Sequence, residues 1–128
     1  MAKTPLPAKR ILVVDDELDI TDELKAYFQQ QGFETLTAAT GEEALALISS
    51  HKPALVMLDM KLGSGISGME VLRRTIAAKT GTHIIMVTAV DDQNVVEMAK
   101  GLGVCEYINK PFTFEKLERI VLAKLKSP

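Results

Sequence analysis

The chain alternates regularly between short apolar runs and longer amphipathic stretches, and this alternation is its strongest constraint on the fold. Five runs have the length of a strand, and the first, third and fourth are apolar at consecutive positions. Consecutive apolar residues are typical of strands buried on both faces, as in parallel sheets. The predicted strands are Arg10–Asp15, Phe33–Ala39, Ala54–Asp59, His83–Thr88 and Val104–Asn109.

An amphipathic stretch of helical period follows each predicted strand. The predicted helices are Leu18–Gln31, Gly41–Ser50, Gly68–Lys79, Asp92–Leu102 and Phe112–Lys126. Thr40 is a candidate N-cap of the second helix, and Gly32 ends the first. Gly101 and Gly103 together end the fourth. Repeated strand–helix units predict one α/β domain of (βα)5 type, an open, doubly wound parallel five-stranded sheet with helices on both faces.

The length and composition suit a single domain with its own core. The chain has 128 residues, 47% hydrophobic and 25% charged, which are ordinary values for a globular domain. We expect residues 1–9 to form a flexible N-terminal tail, because they contain Pro5 and Pro7, and residues 10–126 to form the domain.

Charge, cysteine content and hydropathy argue against several classes of function. A formal net charge of −2 argues against direct nucleic-acid binding, because that affinity depends on clustered Lys and Arg. The single cysteine, Cys105, permits no disulfide within the chain and indicates a reducing compartment, so we expect a cytoplasmic location. We expect no membrane association, since no apolar run approaches the roughly 20 residues that span a bilayer.

Charged and hydroxyl side chains stand where the predicted strands end. They are Asp15 and Asp16 after the first strand, Asp59 after the third, Thr88 at the end of the fourth and Lys110 after the fifth. Ligands bind outside the carboxyl ends of such sheets, so we expect one shared site. Two like charges about 4 Å apart repel by about 4 kcal/mol at a dielectric of 20, so gathered carboxylates require a cation. Carboxylates without nearby His or Cys suit Mg²⁺, and the hydroxyl and ammonium suit phosphoryl oxygens.

Four short motifs carry a family resemblance, namely Asp15-Asp16, Asp59, Thr88-Ala89 and the YINKPF stretch at Tyr107–Phe112. With these motifs, the chain resembles the receiver domain of two-component response regulators from about Arg10 to Lys126. The resemblance implies a flavodoxin-like, CheY-like fold and a role in signal transduction as a phosphoprotein.

The resemblance also implies how phosphorylation proceeds. Asp59 would be the nucleophile that takes a phosphoryl group from a sensor histidine kinase or a histidine phosphotransfer protein. Thr88 would donate a hydrogen bond to that group, and Lys110 would pair with it. The domain would catalyse its own phosphorylation and dephosphorylation, without turning over a small-molecule substrate.

A magnesium site and a switch are further implications of the resemblance. Mg²⁺ would be held by Asp15, Asp16, Asp59 and the backbone carbonyl of Lys61. Tyr107 would turn inward as Thr88 moves toward the phosphoryl group, and the small side chain of Ala89 would permit this motion. The switch would alter the output surface formed by the fourth helix, fifth strand and fifth helix. In many relatives this surface forms a homodimer or contacts an effector.

The loop after Asp59 departs from the family pattern. The family usually has proline four residues after the phosphorylated Asp and glycine eight residues after it. This chain has Gly63 at the first position and Gly68 nine residues on, so its loop is one residue longer and lacks the proline. We therefore expect an altered loop shape next to an unaltered set of chemical residues.

Three alternatives compete with a phosphoacceptor. A degenerate receiver would bind partners without phosphorylation, although all the chemical residues are present. The segment Gly63–Gly68 spells the GxGxxG dinucleotide motif, but four residues (Asp59 to Leu62) precede its first glycine and the next predicted strand ends in Thr88, not in an acid. An aspartate-dependent phosphatase of the haloacid type requires a second Asp at position 61, which is Lys here.

Overall fold

The computed structural model describes residues 9–125, and within this range the chain alternates five strands with five helices. The strands are β1 (Arg10–Val14), β2 (Glu34–Ala38), β3 (Leu55–Leu58), β4 (His83–Thr88) and β5 (Glu106–Asn109). The helices are α1 (Leu18–Gln30), α2 (Gly41–His51), α3 (Gly68–Ala77), α4 (Gln93–Leu102) and α5 (Phe114–Leu125). The predicted (βα)5 fold is confirmed. Two parts of the prediction lie outside the described residues. They are the N-terminal tail up to residue 8 and Lys126, the predicted end of the domain.

The sheet is parallel throughout, and its strand order is β2-β1-β3-β4-β5. The chain reverses its direction of winding at β1, which lies between β2 and β3. Val14 and Leu58 are register partners at the ends of β1 and β3, and the N–H of Asp59 donates to the carbonyl of Val14 at 3.0 Å. The residues that follow these two strands therefore come together at the point of reversal.

The inner strands are buried on both faces, as their consecutive apolar residues predict. Every residue of β1, β3 and β4 is buried, except Arg10 at the start of β1 and His83 at the start of β4. Successive side chains alternate between two apolar clusters on opposite faces of the sheet. One cluster joins Leu12 and Val14 to α2, α3 and α4, and the other joins Ile11 and Val13 to α1 and α5.

The ends of the helices agree in part with the sequence predictions. The hydroxyl of Thr40 accepts a hydrogen bond from the N–H of Glu43 at 3.1 Å, so the predicted N-cap of α2 is confirmed. Gly103, at φ +116°, ends α4, whereas Gly101 lies inside the helix, so its predicted part in ending α4 is wrong. Within residues 9–125, none of the helices combines the length and apolar character needed to cross a bilayer.

The last two elements begin later than predicted. β5 begins at Glu106 and not at Val104, although the N–H of Cys105 already donates to the carbonyl of Ile84 at 2.7 Å. α5 begins at Phe114 because the hydroxyl of Thr113 accepts a hydrogen bond from the N–H of Lys116, at 3.1 Å, in the manner of an N-cap. The predicted start at Phe112 is therefore wrong by two residues.

Candidate functional site

The predicted chemical residues meet at the carboxyl edge of the sheet. Asp15 and Asp59 follow β1 and β3 directly, Thr88 is the last residue of β4, and Lys110 follows β5. The N–H of Lys110 donates to the carbonyl of Thr88 at 2.9 Å, which fixes the backbone of one to the other. A cavity of about 800 Å³ opens beside them and is lined by Asp59, Thr88 and Lys110, among other residues. The strand ends thus place one ammonium, one hydroxyl and two carboxylates together.

The Lys110 ammonium lies among three carboxylates. Its Nζ is 2.7 Å from Asp15 Oδ2, 2.9 Å from Asp59 Oδ2 and 3.2 Å from Glu17 Oε1. The side chains of Lys110, Asp15 and Asp59 are 13%, 5% and 8% exposed. Removing Lys110, Asp15 or Asp59 would leave a buried charge without its partner, because these three side chains lie mostly out of water.

Three donors converge on the carboxylate of Asp59. Its Oδ1 accepts hydrogen bonds from the Thr88 hydroxyl at 2.7 Å and from the N–H of Lys61 at 3.0 Å. Its Oδ2 accepts from the Lys110 ammonium at 2.9 Å. These hydrogen bonds hold Asp59 in one orientation at the base of the cavity, with two neutral donors on one oxygen and a charged donor on the other.

The pKa values of two groups in the site are raised, for different reasons. Burial raises the pKa of Asp15, and the hydrogen bonds from Lys110 and from the N–H of Glu17 only partly offset this effect. For Lys110, burial lowers the pKa, but the hydrogen bonds to Asp15 and Asp59 and the negative charges of both together outweigh it and hold the pKa above its ordinary value. Lys110 is therefore fully charged at neutral pH.

The three carboxylates that lie closest together include Glu17 in place of the predicted metal ligand Asp16. Among the described residues, Asp15, Glu17 and Asp59 each offer a carboxylate oxygen within 4.8 Å of the others. The carboxylate of Asp16 lies instead against Gly63, where an added Cβ would be 2.8 Å from Oδ2. The sequence prediction of site residues did not include Glu17, although its place two residues after Asp15 was a usable signal. This all-oxygen donor set fits Mg²⁺ better than Zn²⁺.

The predicted switch residues lie on the β4–β5 side of the cavity. The Tyr107 hydroxyl donates to the carbonyl of Val90 at 2.5 Å, and the N–H of Val90 donates to the Thr88 hydroxyl at 3.3 Å. Burial raises the pKa of Tyr107, and the negative charge of Asp59 adds to this effect. Ala89 is exposed and lines the cavity. A continuous set of hydrogen bonds therefore runs from Asp59 through Thr88 and Val90 to Tyr107.

The site and the fold together define a class of protein. Residues 11–122 match the family model described as the response regulator receiver domain, and the chain belongs to this family. Receiver domains accept phosphoryl groups from histidine kinases or phosphotransfer proteins, and they generally bind Mg²⁺ at an acidic pocket. The protein is therefore a receiver domain of two-component signal transduction, and its acidic group at Asp15, Glu17 and Asp59 fits a phosphoacceptor site.

Two curated relatives illustrate how much of the chain is similar to known response regulators. Sporulation initiation phosphotransferase F of Bacillus subtilis (strain 168) is 33% identical over 113 residues, which are 88% of this chain and 90% of that protein. The alkaline phosphatase synthesis transcriptional regulatory protein PhoP of the same organism is 36% identical over 118 residues, which are 92% of this chain and 49% of that protein. The chain thus spans nearly all of the first relative and about half of the second.

Solved structures agree with this fold. The crystal structure of a response regulator receiver domain protein (CheY-like) from Methanospirillum hungatei JF-1 matches with a TM-score of 0.89 and 33% identity. The match covers 93% of this chain and 94% of the other. The predicted CheY-like, flavodoxin-like architecture is therefore confirmed.

Proposed function

We propose that Asp59 is the phosphoryl acceptor of this receiver domain and that its donor is a phosphohistidine on a sensor kinase or a phosphotransfer protein. One observation carries the proposal. The Asp59 carboxylate lies at the base of the cavity, between the Lys110 ammonium at 2.9 Å and the Thr88 hydroxyl at 2.7 Å. These are the positive charge and the neutral donor that an incoming phosphoryl group requires.

The transfer step needs little beyond positioning and charge neutralisation. An oxygen of Asp59 attacks phosphorus, and the bond from phosphorus to the donor imidazole nitrogen breaks with its electron pair moving to that nitrogen. The product is an acyl phosphate on Asp59. Lys110 pairs with the charged phosphoryl oxygens, and the Thr88 hydroxyl donates a hydrogen bond to one of them. Hydrolysis of the acyl phosphate by water returns the carboxylate.

We propose that Mg²⁺ binds to Asp15, Asp16, Asp59 and the backbone carbonyl of Lys61. The supporting observation is the gathering of carboxylate oxygens beside the cavity, which Asp16 and Lys61 also line. Glu17 is a further candidate ligand on the same grounds. The cation would supply charge neutralisation between these carboxylates and the phosphoryl oxygens.

We propose that phosphorylation is transmitted through Thr88 to Tyr107, with Ala89 leaving room for the movement. The hydrogen bonds from Asp59 to Thr88, from Val90 to Thr88 and from Tyr107 to Val90 support this route. Redistribution between two packings of the α4, β5 and α5 surface would follow.

A homodimer through this surface and a cytoplasmic location stay predictions. The proposed extent of the domain, residues 10–126, rests on described elements that run from Arg10 to Leu125.

Mass spectrometry tests the acceptor directly. After incubation with Mg²⁺ and acetyl phosphate, we expect one phosphoryl adduct on the wild-type protein and none on Asp59→Asn. The matched control is Asp91→Asn, an exposed carboxylate that lines the same cavity, and this variant should still be labelled. An adduct that persists in Asp59→Asn would assign the nucleophile elsewhere. A wild-type protein that is never labelled would favour a degenerate receiver that binds partners without phosphorylation.

A further inference from the structure

The loop from Leu62 to Ser67 forms one wall of the cavity that leads to Asp59. Its far end is fixed at Gly68, which packs so closely on the backbone carbonyl of Asp59 that a Cβ would collide with it. Its near end is Gly63, at φ +75°, which lies against the Asp16 carboxylate. The middle of the loop is held by neither of these contacts.

Glu42, in the first turn of α2, makes a hydrogen bond to the middle of the loop, beside the apolar packing of Ile66. Its Oε2 accepts a hydrogen bond from the N–H of Ile66 at 3.1 Å. Both of its carboxylate oxygens also lie against the Cα of Gly65, at φ +78°, where a Cβ would collide with them. Gly41 permits the same approach, since a Cβ there would meet the side chain of Ile66. The glycines on both sides thus allow helix and loop to meet closely.

We propose that Glu42 is a positioning residue for phosphoryl transfer, which acts by fixing the wall of the cavity that the phosphodonor meets. This inference rests on the proposed function, because it takes Asp59 as the acceptor and this cavity as the route to it. Glu42 makes no hydrogen bond to Asp59, Thr88 or Lys110. It therefore affects how well a donor binds and leaves the chemistry at Asp59 unchanged.

Glu42 holds the loop independently of the proposed metal ligands. Asp16 contacts Gly63 and is also a proposed ligand of Mg²⁺, so its contact to the loop belongs to the proposed metal site. Glu42 lies outside the carboxylate group of Asp15, Glu17 and Asp59, so its hydrogen bond to the loop has no such competitor. Glu42 therefore gives this wall a polar contact that lies apart from the proposed metal ligands, beside the apolar packing of Ile66.

Kinetics of two Glu42 variants test the proposal. Phosphorylation is measured by mass spectrometry over a range of acetyl phosphate concentrations in the presence of Mg²⁺. For Glu42→Ala, we expect the half-maximal donor concentration to rise by about threefold or more while the maximal rate changes by less than about twofold. Glu42→Gln keeps an amide oxygen that accepts from Ile66, so it should behave as the wild type.

Hydrogen exchange provides a readout without any phosphodonor. In Glu42→Ala, amide exchange in residues 62–67 should be faster by about tenfold, whereas Glu42→Gln should match the wild type. Glu97→Ala, which removes an exposed carboxylate from α4, is the matched control and should change neither measurement.

Two results would overturn the proposal, namely an unchanged half-maximal donor concentration in Glu42→Ala or an equal defect in Glu42→Gln. The exchange measurement separates this inference from the proposed function. A wild-type protein without any label on Asp59 would overturn the acceptor assignment and with it the role of Glu42 in transfer. Faster exchange in Glu42→Ala would in that case still establish the contact that holds the loop.

Discussion

α4 and α5 flank the same edge strand, β5, on opposite faces of the sheet, and they are held to it very differently. α5 buries Leu117, Val121 and Leu125, one residue in every turn. Of the ten residues of α4, all within the described part of the chain, Ala99 is the one that is buried, and Met98 is 57% exposed. Full burial of a large aliphatic side chain contributes about 1.5–3 kcal/mol, so apolar packing anchors α5 far more firmly than α4.

The two tyrosines of the chain repeat this contrast. Tyr27 of α1 donates its hydroxyl to the carboxylate of Glu118 at 2.6 Å and so joins two helices that are already well packed. Tyr107 of β5 donates to Val90, in the loop that precedes α4. The hydrogen bonds that begin at Asp59 therefore end beside the helix with the least burial. Elements with few buried contacts open at lower free energy, so we expect α4 to open more readily than α5.

Leu117→Ala should produce the largest effect of the predicted variants. Leu117 is 0% exposed, and its truncation leaves a cavity beneath α5, so the free energy of unfolding should fall by about 2–5 kcal/mol. The matched variant on α4, Met98→Ala, should change it by less than about 0.5 kcal/mol. Urea denaturation with an unchanged m-value measures both. Equal losses for the two variants would contradict the contrast between the helices.

Tyr107→Phe should have a smaller and more local effect. Loss of the hydroxyl removes the hydrogen bond to Val90 and should lower the free energy of unfolding by about 0.5–1.5 kcal/mol. Amide hydrogen exchange should increase in α4 and stay unchanged in α5. The reciprocal control is Tyr27→Phe, in which exchange in α4 should not change. Faster exchange across both helices in Tyr107→Phe would mean that α4 has no separate mobility.

The smallest expected effect is a pH dependence on the α5 side. The hydrogen bond to Glu118, together with burial and the charges of Glu118 and Glu115, raises the pKa of Tyr27 from 10.0 to about 12. A raised pKa means that the folded state favours the protonated hydroxyl. Its contribution to stability is present below pH 10 and is lost as the pH rises through about 12.

Thermal unfolding of the wild type and of Tyr27→Phe measures this contribution. The difference in Tm between the two should be constant below pH 10 and should shrink as the pH approaches 12. A difference that stays constant across this range would show that the Tyr27 hydroxyl does not stabilise the folded state through Glu118.

The edge of the sheet that holds the site could be predicted from sequence, because the relevant signals are local. Apolar runs mark the strands, and parallel strands bring their carboxyl ends together, so Asp15, Asp59 and Lys110 were expected as neighbours. Glu17 was not expected there: its place two residues after Asp15 was a signal, but its contact with Lys110 depends on a turn. Its own N–H donates to Asp15 Oδ1 at 2.9 Å, and this turn brings its side chain back to Lys110.

Element ends were harder to predict because tertiary contacts decide them. Phe112 has the right spacing for α5 but packs against the core before the helix begins at the Thr113 cap. Glu42 in α2 accepts a hydrogen bond from Ile66 in the loop, 24 positions away. Neither the helix nor the loop carries a periodic pattern that would indicate this contact. Periodicity predicts which face of an element is buried, whereas the partner of a polar side chain requires the assembled fold.

The placement of Lys110 has one further consequence. The carboxylates of Asp15, Glu17 and Asp59 repel one another, and the Lys110 ammonium between them offsets this repulsion. The cost of bringing these charges together is therefore met during folding and not during phosphoryl transfer. An incoming anionic group then finds its oppositely charged partner already aimed and already stripped of most of its water. The site is consequently preorganised for an anionic ligand, and its binding requires only small movements of side chains.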